Sequence, residues 1–188
     1  SDQGDIIAQV SGRQLEWFES VLQDHPQVDH VIVMGHTPIL APVRKENSSG
    51  LMLKKGRQSQ FWQSMAKHNV DLYLCGEVHA ITCTELDGVQ QIAHGGLYGY
   101  NPHVNYLVAK VTPSKIELEL KEIDIVCTGE KLWQVGHNRP RESVTIPEAI
   151  QKRGYVTVGM MTIDKTGNKK QAHKKTGYFD ESNNPQNN

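Results

Sequence analysis

The chain has 188 residues, a formal net charge of −1 and 37% hydrophobic residues. That length supports one domain with a sizeable core, and the near-neutral charge argues against a dedicated binder of nucleic acid or another polyanion. No apolar run approaches the roughly 18 residues that a membrane-spanning helix needs, and Ser1–Asp5 shows no basic-then-apolar leader pattern.

Ser11-Gly12-Arg13-Gln14 predicts a capping box at a helix start, and Gln14, Trp17, Phe18, Val21 and Leu22 recur at helical spacing as its core stripe. His25-Pro26 ends this helix, and Val31–Met34 reads as a short buried strand. Residues 40–57, with Pro42, Asn47-Ser48-Ser49-Gly50 and Lys54-Lys55-Gly56, read as an exposed loop. A second helix follows from about Gln58 to His68, burying Phe61, Trp62, Met65 and Ala66, with Asn69 as its stop. A strand over Asp71–Cys75 completes the order helix, strand, helix, strand, which predicts parallel neighbours joined by a right-handed crossover.

The pattern changes at residue 80. Ala80–Leu86 and Val89–Ala93 flank Asp87-Gly88, a strong hairpin signal. Asn105–Val111 and Lys115–Ile123 flank Pro113-Ser114, and Ile116, Leu118 and Leu120 alternate with Glu117, Glu119 and Lys121 as in an antiparallel strand with one solvated face. A short helix from about Thr145 to Lys152 and a strand over Tyr155–Ile163 follow. The end, rich in Lys, Asn, Gln and Gly, has little to bury and reads as a disordered tail. Cys75, Cys83 and Cys127 have no C-x-x-C spacing and read as buried small residues.

Two strand ends carry the chemistry. Val31–Met34 runs into Gly35-His36-Thr37-Pro38, and Leu72–Cys75 into Gly76-Glu77-Val78-His79. Sites in α/β proteins gather where strands end. Gly35 permits a sharp turn, and Pro38 holds Thr37 extended. Residues two apart in an extended segment point the same way, so Glu77 and His79 can face one site. His36, Glu77 and His79 together make a candidate metal site. His94, before Gly95-Gly96, is a candidate substrate contact at the same end of the sheet, with an ordinary loop histidine as the alternative. Tyr98, Tyr100, Asn101 and His103 read either as a pocket-lining loop or as plain surface.

These motifs resemble the calcineurin-like metallophosphoesterase family. Gly35-His36-Thr37-Pro38 matches its block G-H-x-P, Gly76-Glu77-Val78-His79 resembles its block G-H-x-H, and the helix Gln14–Leu22 is similar to the one before the first of these. The likeness covers roughly residues 11–123. It implies an α/β fold, the C-terminal half of a four-layer αββα sandwich, with a mixed sheet and antiparallel hairpins after residue 80. It implies residues 1–125 as part of that domain; the chain beyond then reads as a C-terminal extension over 126–163 and, by composition, a tail over 164–188. His36 and His79 would be catalytic metal ligands, to the second and first ions of a dinuclear centre of Mn, Zn or Fe. Glu77 stands where the family has a second-metal histidine.

The activity implied is metal-assisted in-line hydrolysis of a phosphate ester. The family blocks D-x-H, G-D-x-x-D and G-N-H-D/E are not in this sequence. The resemblance therefore implies a missing N-terminal half as partner and no turnover by this chain alone. Two alternatives remain open: a non-catalytic binding or scaffold module on the same fold, and a mononuclear zinc hydrolase using His36, Glu77 and His79.

Overall fold

The structure, a computed structural model, describes residues 7–41, 50–78, 81–94, 103–127, 144–166 and 169–180. Helix α1 (Arg13–Asp24) points Leu15, Phe18 and Leu22 into the core, and His25 ends it as expected. Two details differ from the sequence reading. The chain enters α1 through Gly12 at φ 55, and no side chain caps the helix, so the capping box does not form. The buried stripe is also rotated, which leaves Trp17 64% exposed and Val21 outside the core. Helix α2 (Gln60–Lys67) is capped by Ser59, whose hydroxyl accepts from the Trp62 amide at 3.2 Å. Asn69, at φ 52, stops it in the left-handed conformation.

The first sheet has the order β1-β2-β4-β3, built from β1 (Ile32–Met34), β2 (Leu72–Cys75), β3 (Thr82–Leu86) and β4 (Val89–Ala93). β1 and β4 both run parallel to β2, while β3 returns antiparallel beside β4. The β3–β4 turn sits on Asp87 (φ 54) and Gly88 (φ 79), the double left-handed geometry that the hairpin signal predicted. The Trp62 indole donates to Asp87 Oδ2 at 3.2 Å, tying that turn to α2.

The second sheet is antiparallel, in the order β10-β9-β6-β5, from β5 (His103–Thr112), β6 (Lys115–Asp124), β9 (Val156–Thr166) and β10 (Lys169–Gly177). Val126–Cys127 (β7) and Val144–Thr145 (β8) form a small separate pair, and Glu148–Arg153 is helix α3. The alternation on β6 holds as read, with Ile116, Leu118 and Leu120 buried.

Two apolar clusters join these layers. One packs α1 and α2 on the first sheet, through Leu15, Phe18, Phe61, Trp62, Met65 and Tyr73. The other lies between the sheets, where Leu72, Ile81, Cys83 and Ile92 meet Ile116, Leu118, Leu120, Met161 and Ile163. The described residues thus make a mixed α/β fold of helices, sheet and sheet. No helix among them is long and apolar enough to cross a membrane. Cys75 and Cys83 are buried free thiols, and burial pushes the Cys75 thiol up to about 12.

The reading of residues 164–188 as a disordered tail is corrected at its start. β10 pairs with β9 along Lys169–Gly177, and Phe179 beyond it is buried in the inter-sheet cluster. The segment is polar because an edge strand needs only its backbone and one or two anchors. β9 likewise pairs with β6, so residues 126–163 share the second sheet with the residues before them. If Phe179 anchors this edge, Phe179→Ala should cost about 3–4 kcal/mol in urea unfolding. A disordered tail would give no change.

Candidate metal centre

The parallel strands end in step. Beyond β1 the Gly35 amide donates to Leu74 O at 2.9 Å, and beyond β2 the Gly76 amide donates to His36 O at 2.9 Å. The His94 amide, after β4, donates to Cys75 O at 2.8 Å. These bonds hold His36, Glu77 and His94 at one edge of the sheet, the edge where α/β proteins place their sites.

Gly35 is needed there for space. Its φ is not in the left-handed region, but a Cβ on it would overlap the Tyr73 hydroxyl and come within 3.0 Å of Tyr73 Cε2. That hydroxyl donates to Thr37 O at 2.8 Å, so Tyr73 fills the gap under Gly35 and fixes the chain on both sides of His36. On the neighbouring strand, Glu77 adopts φ 65, a conformation L side chains rarely take. The result is that His36 Nε2 and Glu77 Oε2 lie 2.9 Å apart. The imidazole is 72% exposed and the carboxylate 13%. His36 also lines a cavity of about 540 Å³ with Trp17, Val33, Met34 and Leu53.

Of the residues singled out from sequence, His36 and Glu77 come together. His79 lies outside the described residues. His94 reaches the same edge with its backbone, while its side chain sits beside Asn105 on β5. Burial holds the His94 imidazole below its ordinary range, and the Asn105 carboxamide offsets part of that.

The 2.9 Å separation is that of an imidazole–carboxylate hydrogen bond; the same two groups could hold one octahedral divalent ion, whose neighbouring ligand atoms at about 2.1 Å lie about 3 Å apart.

Sequence reading missed a second polar group. His103, Glu122 and Asp124 bring ligand atoms within 4.8 Å of one another. His103 is a strand residue opposite Asp124, not part of a loop. The signal was present on β6: Glu122 and Asp124 continue the phase of Ile116, Leu118 and Leu120, so the core-facing stripe turns acidic. The His103 hydrogen bond, then the Arg153 one, hold the Asp124 carboxyl below the usual carboxylate range.

No family model matches the chain, and no curated protein matches it.

Two substitutions test this geometry. Gly35→Ala should destabilise by about 2–4 kcal/mol, from overpacking and a lost hydrogen bond. Adding Tyr73→Phe should recover part of that in a double-mutant cycle of urea midpoints. Glu77→Gly should raise stability by about 0.5–1 kcal/mol, because relief of the left-handed backbone exceeds the contribution of an ion pair whose imidazole is largely exposed. A loss of stability in Glu77→Gly would show that the contacts of the carboxylate outweigh the strain.

Proposed function

We propose that this chain is part of a calcineurin-like metallophosphoesterase domain and that the parent protein hydrolyses phosphate esters at a dinuclear centre of Mn, Zn or Fe. The observation that carries this reading is the 2.9 Å approach of His36 Nε2 to Glu77 Oε2 across the ends of two parallel strands. The G-H-x-P and G-E-x-H sequences on those ends support it.

In this reading His36 and Glu77 are ligands of one ion and His79 of the other. The ions would supply Lewis-acid activation of water and neutralise charge on the phosphoryl group. The chain's own part is positional. Tyr73 and Gly35 fix His36, and the left-handed turn at residue 77 aims the carboxylate at it. Glu77 in place of histidine brings a negative charge that weakens the Lewis acidity of its ion.

The remaining ligands come from a complementary segment of the same domain, and β1 is where it would dock. β1 is an edge strand of the first sheet. Its last residue, Met34, is 79% exposed, and Ile7 and Trp17, which line a cavity with β1, are exposed too. An open strand edge flanked by apolar side chains favours pairing with another strand.

The test begins with the coding frame upstream of Ser1, which should encode D-x-H, G-D-x-x-D and G-N-H-D/E. The parent protein loaded with Mn²⁺ should then hydrolyse bis(p-nitrophenyl) phosphate. His36→Ala should lower kcat about a thousandfold, while the 188-residue chain alone should give no turnover. A frame without those blocks, or turnover by the isolated chain, would overturn the reading.

A further inference from the structure

Alternate residues of β4 share one face, and Val89 and Ala93 pack from it into the cluster under α1 and α2. Gln91 stands between them in the same stripe, at 0% exposure. A carboxamide that deep must find partners for both its oxygen and its nitrogen. Oε1 accepts from the Ile39 amide at 2.8 Å and from the Leu40 amide at 2.9 Å. Nε2 donates to Leu40 O at 3.1 Å and to the Thr84 hydroxyl at 3.2 Å. Two N–H donors can face only the oxygen, so these partners fix which way the carboxamide points.

Three of the four bonds hold Ile39 and Leu40, which directly follow Gly35-His36-Thr37-Pro38. The register sets Gln91 beside Tyr73 on β2 and opposite Thr84 on β3. Tyr73 holds Thr37 O, so the row Tyr73, Gln91, Thr84 grips the chain from Thr37 to Leu40. The Leu53 amide adds a bond to Pro38 O at 2.8 Å. Thr37, Ile39 and Leu40 are buried, whereas the His36 imidazole projects from the start of the segment and is largely exposed. An exposed ring has few contacts of its own, and its direction comes from the backbone on either side.

We propose that Gln91 is a positioning residue for His36. It pins the backbone downstream of the histidine, as the strand ladder pins it upstream, and so keeps Nε2 on the Glu77 carboxylate. This role rests on the reading of His36 and Glu77 as ligands of one ion. A carboxamide suits the task because it both donates and accepts without bringing a charge near that ion. An apolar side chain of the same size would leave the Ile39 and Leu40 amides unpaired in the core.

Ring-proton NMR of the full chain, without and with Mn²⁺, tests this, the His36 signals being assigned with His36→Gln. Gln91→Met keeps roughly the volume and removes all four bonds. In the metal-free protein it should move the His36 signals toward their positions in Glu77→Ala, which lacks the pair. The Mn²⁺ concentration needed to broaden them should rise about tenfold. Thr84→Val, which removes one bond of the row, should move them the same way by less, and Thr84→Ser should restore them. Ile163→Val, in the cluster between the sheets, should lower the urea midpoint and leave the His36 signals in place. A glutamine that only satisfies buried backbone would behave like that control. Metal-free His36 signals unmoved in Gln91→Met, or unmoved in Thr84→Val if Gln91→Met does not fold, would overturn the proposal. His36 signals of the unaltered chain that stay sharp at saturating Mn²⁺ would instead overturn the metal reading, and the metal-free comparison would still decide the role of Gln91.

Discussion

The ladder of backbone hydrogen bonds that runs past the ends of β1, β2 and β4 is the constraint on which the candidate centre depends. Within the strands it sets the register Met34 to Leu74 and Cys75 to Ala93. Past them it continues through Gly35, Gly76 and His94. Side chains from residues far apart in sequence are therefore brought to one edge by main-chain geometry, before any side-chain interaction acts. The His36–Glu77 pair, with its exposed imidazole, is too weak to organise that edge itself. It is held there by the ladder and by Tyr73 packed under Gly35.

Much of this arrangement was legible in the sequence, because its signals are local. The Asp87-Gly88 turn has one favoured geometry, and both residues adopt it. The alternation from Ile116 to Lys121 admits only a strand with two unlike faces, and β6 is one. Asn69 stops α2 for the reason that asparagine tolerates the left-handed region. The rotation of α1 was hidden, since Trp17 and Leu15 are both apolar and only the packing against Phe61 selects which faces inward. β10 was hidden for a different reason. An edge strand is specified by its neighbour's unpaired backbone, and Lys169–Gly177 has little pattern of its own.

The site itself was legible in part. Strand-Gly-His is a local pattern and led to His36. That Gly35 is there for space rather than for turning could not be read, because the atom in the way belongs to Tyr73, on another strand. The polar group at His103, Glu122 and Asp124 was readable only by following the apolar phase of β6 past Leu120 and noticing that it does not stop where hydrophobicity does. A charged residue in phase with a core stripe is a conflict between local chemistry and global position, and such conflicts gather at functional places.

The mixture of strand pairings also orders the assembly of the molecule in time. The β3–β4 and β5–β6 hairpins join residues a few positions apart and close quickly, whereas β1 must find β2 across the intervening helix and loop. Pairings between distant segments pay the loop entropy first and are slow. The edge that carries His36 and Glu77 is therefore completed late, after the hairpins that support it. Until β1 pairs with β2, the left-handed turn at Glu77 has no neighbouring strand end to hold it, so the strain at that residue is accepted only when that pairing forms.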